Sequence, residues 1–119
     1  MLLSDAILKG TKETRRASED IYIDGGFCAL GAAAYAIGAV DCTETPAMKR
    51  NKLLKALYLH WGKELNTRIS MDMIPTKDQS SFRYYVLKHI LLSDLIVLAN
   101  DNMNWKRDRI GRLVKSLGF

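Results

Sequence analysis

The sequence predicts an all-α fold, or a mainly α fold with one short β hairpin, built as a compact bundle of about five helices in a single helical domain over residues 1–119. Three observations carry this expectation. Apolar residues recur at helical spacing between Leu53 and Leu65, Val86 and Leu98, and Ile110 and Leu117. Residues that start or stop helices bracket these runs, among them Thr45-Pro46, Ser80-Ser81 and Gly118. The β-branched and aromatic cluster that marks an extended segment is Ile21-Tyr22-Ile23, which runs into the turn Asp24-Gly25-Gly26.

In chain order, Ser4 caps a first helix from Asp5, with Ala6, Ile7 and Leu8 on its apolar side. Gly10 or the polar run Thr11–Asp20 ends it. Ile21–Ile23 forms a short hairpin or a loop. Phe27 to Ala39 reads as a helix of small residues (Cys28, Ala29, Gly31, Ala32, Ala33, Ala34, Ala36), which allows another helix to approach closely and makes the segment central. Thr45 caps and Pro46 opens a helix to about Asn66. At about 100° per residue its Leu53, Leu54, Leu57, Tyr58, Trp61 and Leu65 share one arc, with Lys49, Lys52, Lys55 and Lys63 opposite. Arg68 to Gln79, with Pro75, reads as a connector. Ser80 or Ser81 caps a long helix through Ala99, apolar nearly all round from Val86 to Leu98 and therefore buried. Asn100–Asn104 is a turn, and a last helix from Trp105 to Leu117 ends at Gly118.

Composition narrows the functional classes. Apolar types make up 48% and charged types 26% of 119 residues, the range of an ordinary globular domain rather than a disordered chain. Eighteen Lys and Arg against thirteen Asp and Glu give a formal charge of +5. That balance admits nucleic acid or an acidic protein face as partner and excludes an acidic mimic of DNA. Two cysteines exclude a disulfide scaffold. Met1–Asp5 reaches an acid too soon for a signal peptide, and the uncharged stretch Gly25–Val40 is too short and too rich in small residues to span a bilayer. The expectation is a cytoplasmic protein with no membrane partner.

Cys28 is the weak catalytic candidate. It follows a Gly-Gly turn at the start of a helix, where N–H groups and the dipole favour a thiolate. A nucleophile there needs a base, and His60 and His89 are the only histidines. The competing reading, a small thiol packed among alanines, asks for less. Cys28 with Cys42, and His60 with His89, lack metal-ligand spacing, and no glycine-rich phosphate loop follows a strand, so neither metal nor cofactor is expected. His89 beside the apolar run reads as a hydrogen-bonded core histidine.

Asn100 and Asp101 read as turn residues whose side chains cap the last helix, with Trp105 anchoring it on the core. The basic residues Lys49, Arg50, Lys52 and Lys55, and Lys106, Arg107, Arg109, Arg112 and Lys115, form two helix faces. Such faces contact phosphates or an acidic protein, or are simply solvated. Lys106, Arg109 and Arg112, then Lys52 and Lys55, are the candidate partner-binding residues. Sequence-specific DNA reading is not expected. Trp105–Leu117 as a first helix needs a recognition helix beyond it, and as the reader it needs a shorter, less apolar helix before it.

The segments Ala6-Ile7-Leu8-Lys9-Gly10, Gly26-Phe27-Cys28-Ala29-Leu30-Gly31-Ala32-Ala33, and Leu98-Ala99-Asn100-Asp101 with Trp105-Lys106-Arg107-Asp108-Arg109-Ile110 together resemble a family of small phage and prophage proteins. That family carries an AIxxG start, a CALGAA helix and a closing LND…WxRxxIA segment. The resemblance covers both ends, about half the chain. Lys106 replaces the family's Ser or Thr, and Gly111 its Ala; if the missing hydroxyl was a cap, Asn104 takes that role. The resemblance implies a mobile-element origin and no activity. Three readings follow: a non-enzymatic phage protein binding a host protein complex, such as an inhibitor of host defence; a non-specific nucleic-acid binder; and a cysteine-dependent enzyme centred on Cys28.

Overall fold

Apolar residues at i, i+3, i+4 and i+7 give helix α1 (Leu3–Glu13) one stripe, Leu3, Ala6, Ile7 and Gly10, and the computed structural model buries all four. The structure describes residues 1–16, 22–23, 26–39, 46–86 and 88–119. The stripe packs against α2 (Ala29–Ala36) and α6 (Arg107–Ser116). Helix α2 is central, as its small residues predict: Ala29, Gly31, Ala32, Ala33 and Ala34 are all buried. Gly10 does not end α1. It lies inside the helix, where a Cβ would sit 1.8 Å from the Ala32 carbonyl oxygen, so its missing side chain is what lets the two backbones approach. Gly111 does the same on α6, where a Cβ would meet the Leu8 side chain at 2.8 Å.

Both ends of α1 are satisfied by distant parts of the chain. Ser4 is not its cap: Leu2 holds that position without a side-chain bond, Ser4 is fully buried in the first turn, and its N–H donates to the Phe119 carbonyl at 3.2 Å. At the other end the buried Arg107 guanidinium donates to the Thr14 hydroxyl at 2.7 Å, the Thr14 carbonyl at 2.6 Å and the Thr11 carbonyl at 3.2 Å. These are carbonyls that a helix terminus leaves without an internal donor.

The expected extended segment forms at β2 (Tyr22–Ile23), which pairs antiparallel with β3 (Gly26–Phe27), Tyr22 opposite Phe27. β1 (Arg15–Arg16) adds to the other edge of β3 in parallel. Ile21, the Asp24-Gly25 turn, Cys42 and the Thr45 cap lie outside the described residues.

Helix α3 (Pro46–Leu65) buries Leu53, Leu57, Trp61 and Leu65, a strict i+4 stripe. Leu54 and Tyr58, expected on the same arc, fall at its edge and stay 42% and 49% exposed, because α3 leans on narrow alanine-rich α2. Trp61 leaves helical geometry (φ −131°, ψ 24°) next to Gly62, kinking the helix. Its indole N–H donates to the Met1 carbonyl at 3.1 Å.

The second half departs most from expectation. The connector Arg68–Gln79 holds β4 (Arg68–Ser70), a 3₁₀ turn and the start of α4 (Thr76–Arg83). No helix runs from Ser80 to Ala99. The chain leaves α4, forms β5 (His89–Leu91) antiparallel to β4 with Ile69 opposite Ile90, and then enters α5 (Leu92–Val97) and a π-helical turn, Leu98–Asn102. Tyr84, Tyr85, Val86, His89 and Ile90 suit extended backbone, and the apolar residues between Val86 and Leu98 belong to a short strand and a helix in succession. Trp105 closes the core edge-to-face on Phe82, ring centroids 5.2 Å apart. Among the described residues no helix is long and apolar enough to cross a membrane.

Candidate functional site

The start of α2 is where sequence-distant polar residues meet. Cys28 is the N-cap, its backbone extended (φ −71°, ψ 177°) and its thiol accepting the Gly31 N–H at 3.4 Å. The next free N–H, that of Ala29, donates to Asn100 Oδ1 at 3.3 Å, and Asn100 Nδ2 donates to Asp101 Oδ1 at 2.8 Å. Asn100 therefore caps α2, not the last helix as expected. The π-helical turn carries its amide inward, where it is 1% exposed, beneath the start of α2.

This cap forms the floor of a cleft of about 290 Å³. Cys28, Ala29 and Leu30 supply one wall, and Leu54, Leu57 and Tyr58 of α3 the second. Ser93, Asp94, Ile96 and Val97 of α5 complete it, with Asn100 and Asp101 beyond them. Ser93, Ile96, Val97 and Asn100 are spaced i, i+3, i+4 and i+7, so they stand on one stripe facing the opening. The lips are apolar: Leu54, Tyr58 and Val97 are each between 42% and 49% exposed. The sequence signal for this wall is the Ser93-Asp94 interruption of the apolar run Val86–Leu98, followed by Asn100 at helical spacing.

Cys28 lines the cleft with a buried thiol, but neither histidine joins it. His60 is exposed beside Trp61, ring centroids 5.6 Å apart. His89 is exposed on β5 and is not the core residue expected, because the segment is a strand with that position turned outward. Among the described residues no three His, Cys, Asp and Glu side chains gather as metal ligands.

The basic residues of α6 divide into internal and external roles. Arg107 is buried against α1 and leaves the basic face altogether. The Arg109 guanidinium lies 3.5 Å from the Trp105 ring centroid and donates to the buried Asp78 carboxylate at 3.3 Å. Arg112 donates to Asp108, one turn earlier, at 3.0 Å, and that bond holds the Asp108 carboxyl below its ordinary value. The Ser70 hydroxyl has the same effect on Asp72. Lys106 and Lys115 are exposed. Asn104 takes left-handed backbone (φ 55°) rather than capping α6, whose N-cap position is Lys106 without a side-chain bond. The turn at Asn104 lets the Trp105 N–H donate to the Ala99 carbonyl at 2.9 Å.

Lys52 and Lys55 are exposed on the outer arc of α3, beside Leu59. Helix α6 rests chiefly on α1, and α3 on α2, so the two basic stretches belong to different packing pairs. Comparison of the chain with protein-family models, with curated proteins and with solved structures found no match.

Proposed function

We propose that the protein is a non-enzymatic binding protein of phage or prophage origin, acting in the host cytoplasm by covering the surface of a host protein complex, such as one used in defence. The observation that carries this reading is the outer arc of α3. Leu54 and Tyr58, one turn apart at the edge of the buried stripe, are 42% and 49% exposed, and Leu59, further round the helix, is 82% exposed, with Lys52 and Lys55 alongside. Clustered large apolar side chains with a charged rim are the anatomy of a protein interface, and an aromatic anchor such as Tyr58 supplies much of the energy of such a contact. The two lysines suit an acidic partner face. Lys106 offers a further basic contact on α6, whereas Arg109 and Arg112 are drawn toward Asp78 and Asp108 and have less charge to give a phosphate. The segments Ala6–Gly10, Gly26–Ala33 and Leu98–Ile110 support the mobile-element origin.

The test is retention of one defined host complex from nuclease-treated lysate by the immobilised protein. A variant with Leu59→Asp and Lys55→Glu should lose that complex while its unfolding midpoint stays put, since exposed substitutions change stability by within about 0.5 kcal/mol. Equal retention by the variant would refute the α3 face. Binding to a short duplex that weakens steeply with salt would move the function to nucleic acid.

A further inference from the structure

The cleft at the start of α2 shares Leu54 and Tyr58 at its lips with the α3 face but runs inward from them, and its chemistry points to a different kind of ligand. Its apolar walls, Leu57, Ile96 and the lips Leu54, Tyr58 and Val97, can enclose a short hydrocarbon or aromatic body. Its volume of about 290 Å³ lies at the small end of ligand cavities. Two polar groups of the first turn of α5 reach into this wall. Ser93 is 8% exposed, stands on the stripe that faces the opening, and its hydroxyl makes no hydrogen bond within the described residues. The fully buried side-chain oxygens without a partner among the described residues are those of Ser4 and Thr11; the Ser93 hydroxyl is instead still reached by solvent through the cleft, where a ligand can meet it. Asp94, next in sequence and also lining the cleft, is an exposed carboxylate with no ion pair or hydrogen bond among the described residues.

The sign of the ligand's charge follows. A helix N-terminus would ordinarily attract an anion, but two of the first three N–H groups of α2, those of Ala29 and Gly31, already donate to Asn100 Oδ1 and the Cys28 thiol. The charged side chains among the described lining residues are Asp94 and Asp101, with no Lys or Arg, in a chain of net charge +5. Asp101 is already engaged by partners of its own, Asn100 among them, so the charge the cleft offers is that of Asp94. An anion would be repelled by it, whereas a cation would meet the Asp94 carboxylate, the Ser93 oxygen and the face of Tyr58. We propose that this cleft binds a small organic cation, an ammonium group carried on a short apolar body, with Asp94 and Ser93 holding the ammonium and Leu54, Leu57, Tyr58 and Ile96 enclosing the body.

The proposal is independent of docking through α3, because its readout is a free small molecule. The ¹⁵N-labelled full chain is titrated at neutral pH with phenethylammonium, with 2-phenylethanol and 3-phenylpropionate as neutral and anionic counterparts. Phenethylammonium should saturate with a Kd of about millimolar, as its size allows, and shift the amides of Ala29, Gly31, Ser93, Asp94 and Asn100. The alcohol should bind about tenfold more weakly and the carboxylate not at all. Asp94→Asn and Ser93→Ala should each weaken the amine severalfold while leaving the free spectrum otherwise unchanged. Absence of saturable shifts at these amides, equal affinity for the alcohol, or unchanged affinity in Asp94→Asn would each overturn the proposal.

Discussion

Alanine normally stabilises a helix relative to glycine, so Gly10→Ala is a case where local preference and packing pull in opposite directions. Position 10 lies inside α1, and in an open helix the substitution would gain about 1 kcal/mol. Here the new Cβ meets the Ala32 carbonyl oxygen at 1.8 Å and its carbon at 2.4 Å, and both atoms are backbone. No rotamer change relieves that overlap, so α1 must retreat from α2 by more than about 1 Å, given ordinary contact at 3.4 Å. Retreat opens a gap along Leu3 and Ile7, both at 0% exposure. Each such side chain makes contacts worth about 5 kcal/mol in gross dispersion, and a gap of this size forfeits at least about a quarter of it. Strain of about 2 kcal/mol remains in the crowded backbone. Crediting the helical preference leaves a net loss of about 3.5 kcal/mol. Urea unfolding followed by far-ultraviolet circular dichroism should place the midpoint about 2 M lower, taking a slope of about 1.8 kcal/mol per M. Gly62→Ala is the control: nothing lies within 4 Å of its Cβ, so stability should rise or stay level. A Gly10→Ala protein within about 0.5 kcal/mol of the parent would refute the close-approach argument.

Three further outcomes are expected. Arg107→Met keeps the apolar stem but strands the Thr11 and Thr14 carbonyls at the end of α1, and should cost about 2–3 kcal/mol in the same unfolding assay, with faster amide exchange in the last turn of α1. Asn100→Ala removes the acceptor for the Ala29 N–H and should cost about 1–2 kcal/mol; Asn100→Asp, which retains an acceptor, should recover part of it. The Asp108 carboxyl is held below its ordinary value of 3.8 by Arg112, so its contribution is complete above 3.8 and is lost as pH falls through the lower folded-state value. The pair is exposed, so Asp108→Asn should flatten the acid limb of stability against pH by only about 0.3–0.5 kcal/mol.

What could be read from the sequence was what local spacing encodes. The stripe of α1, the small-residue helix α2, the i+4 leucines of α3 and the apolar face of α6 all follow from periodicity within a few turns. The misread parts depend on partners far along the chain. Ile90 is a strand residue because Ile69 stands opposite it, and nothing near Ile90 announces that. Arg107 looks like its basic neighbours in sequence, yet its acceptor Thr14 lies 93 positions away and draws it into the interior. Asn100 reads from its place before Trp105 as a cap of the last helix, but the helix it caps begins 71 positions earlier. The same distance hid the cleft: Cys28, Asn100 and Asp101 each drew notice singly, while their meeting, and the role of Ser93 between them, required the fold. The Arg112–Asp108 pair, one helical turn apart, is the part of the basic face that local spacing alone contains.

The two helices that flank α1 set the order in which the molecule can assemble. Its stripe is covered by α2, some twenty residues on, and by α6, about a hundred residues on. Loop-closure entropy makes the second encounter costlier than the first by about 1.4 kcal/mol, and a contact so remote in sequence slows the search. The α1–α2 pair can therefore form early, leaving the side of Ile7 and Leu8 that meets α6 open until the rest of the chain has collapsed. Arg107 sits on the late-arriving helix and inserts into the end of the first one, which makes it the closing fastener: folding would leave that guanidinium for last, and unfolding would begin by withdrawing it.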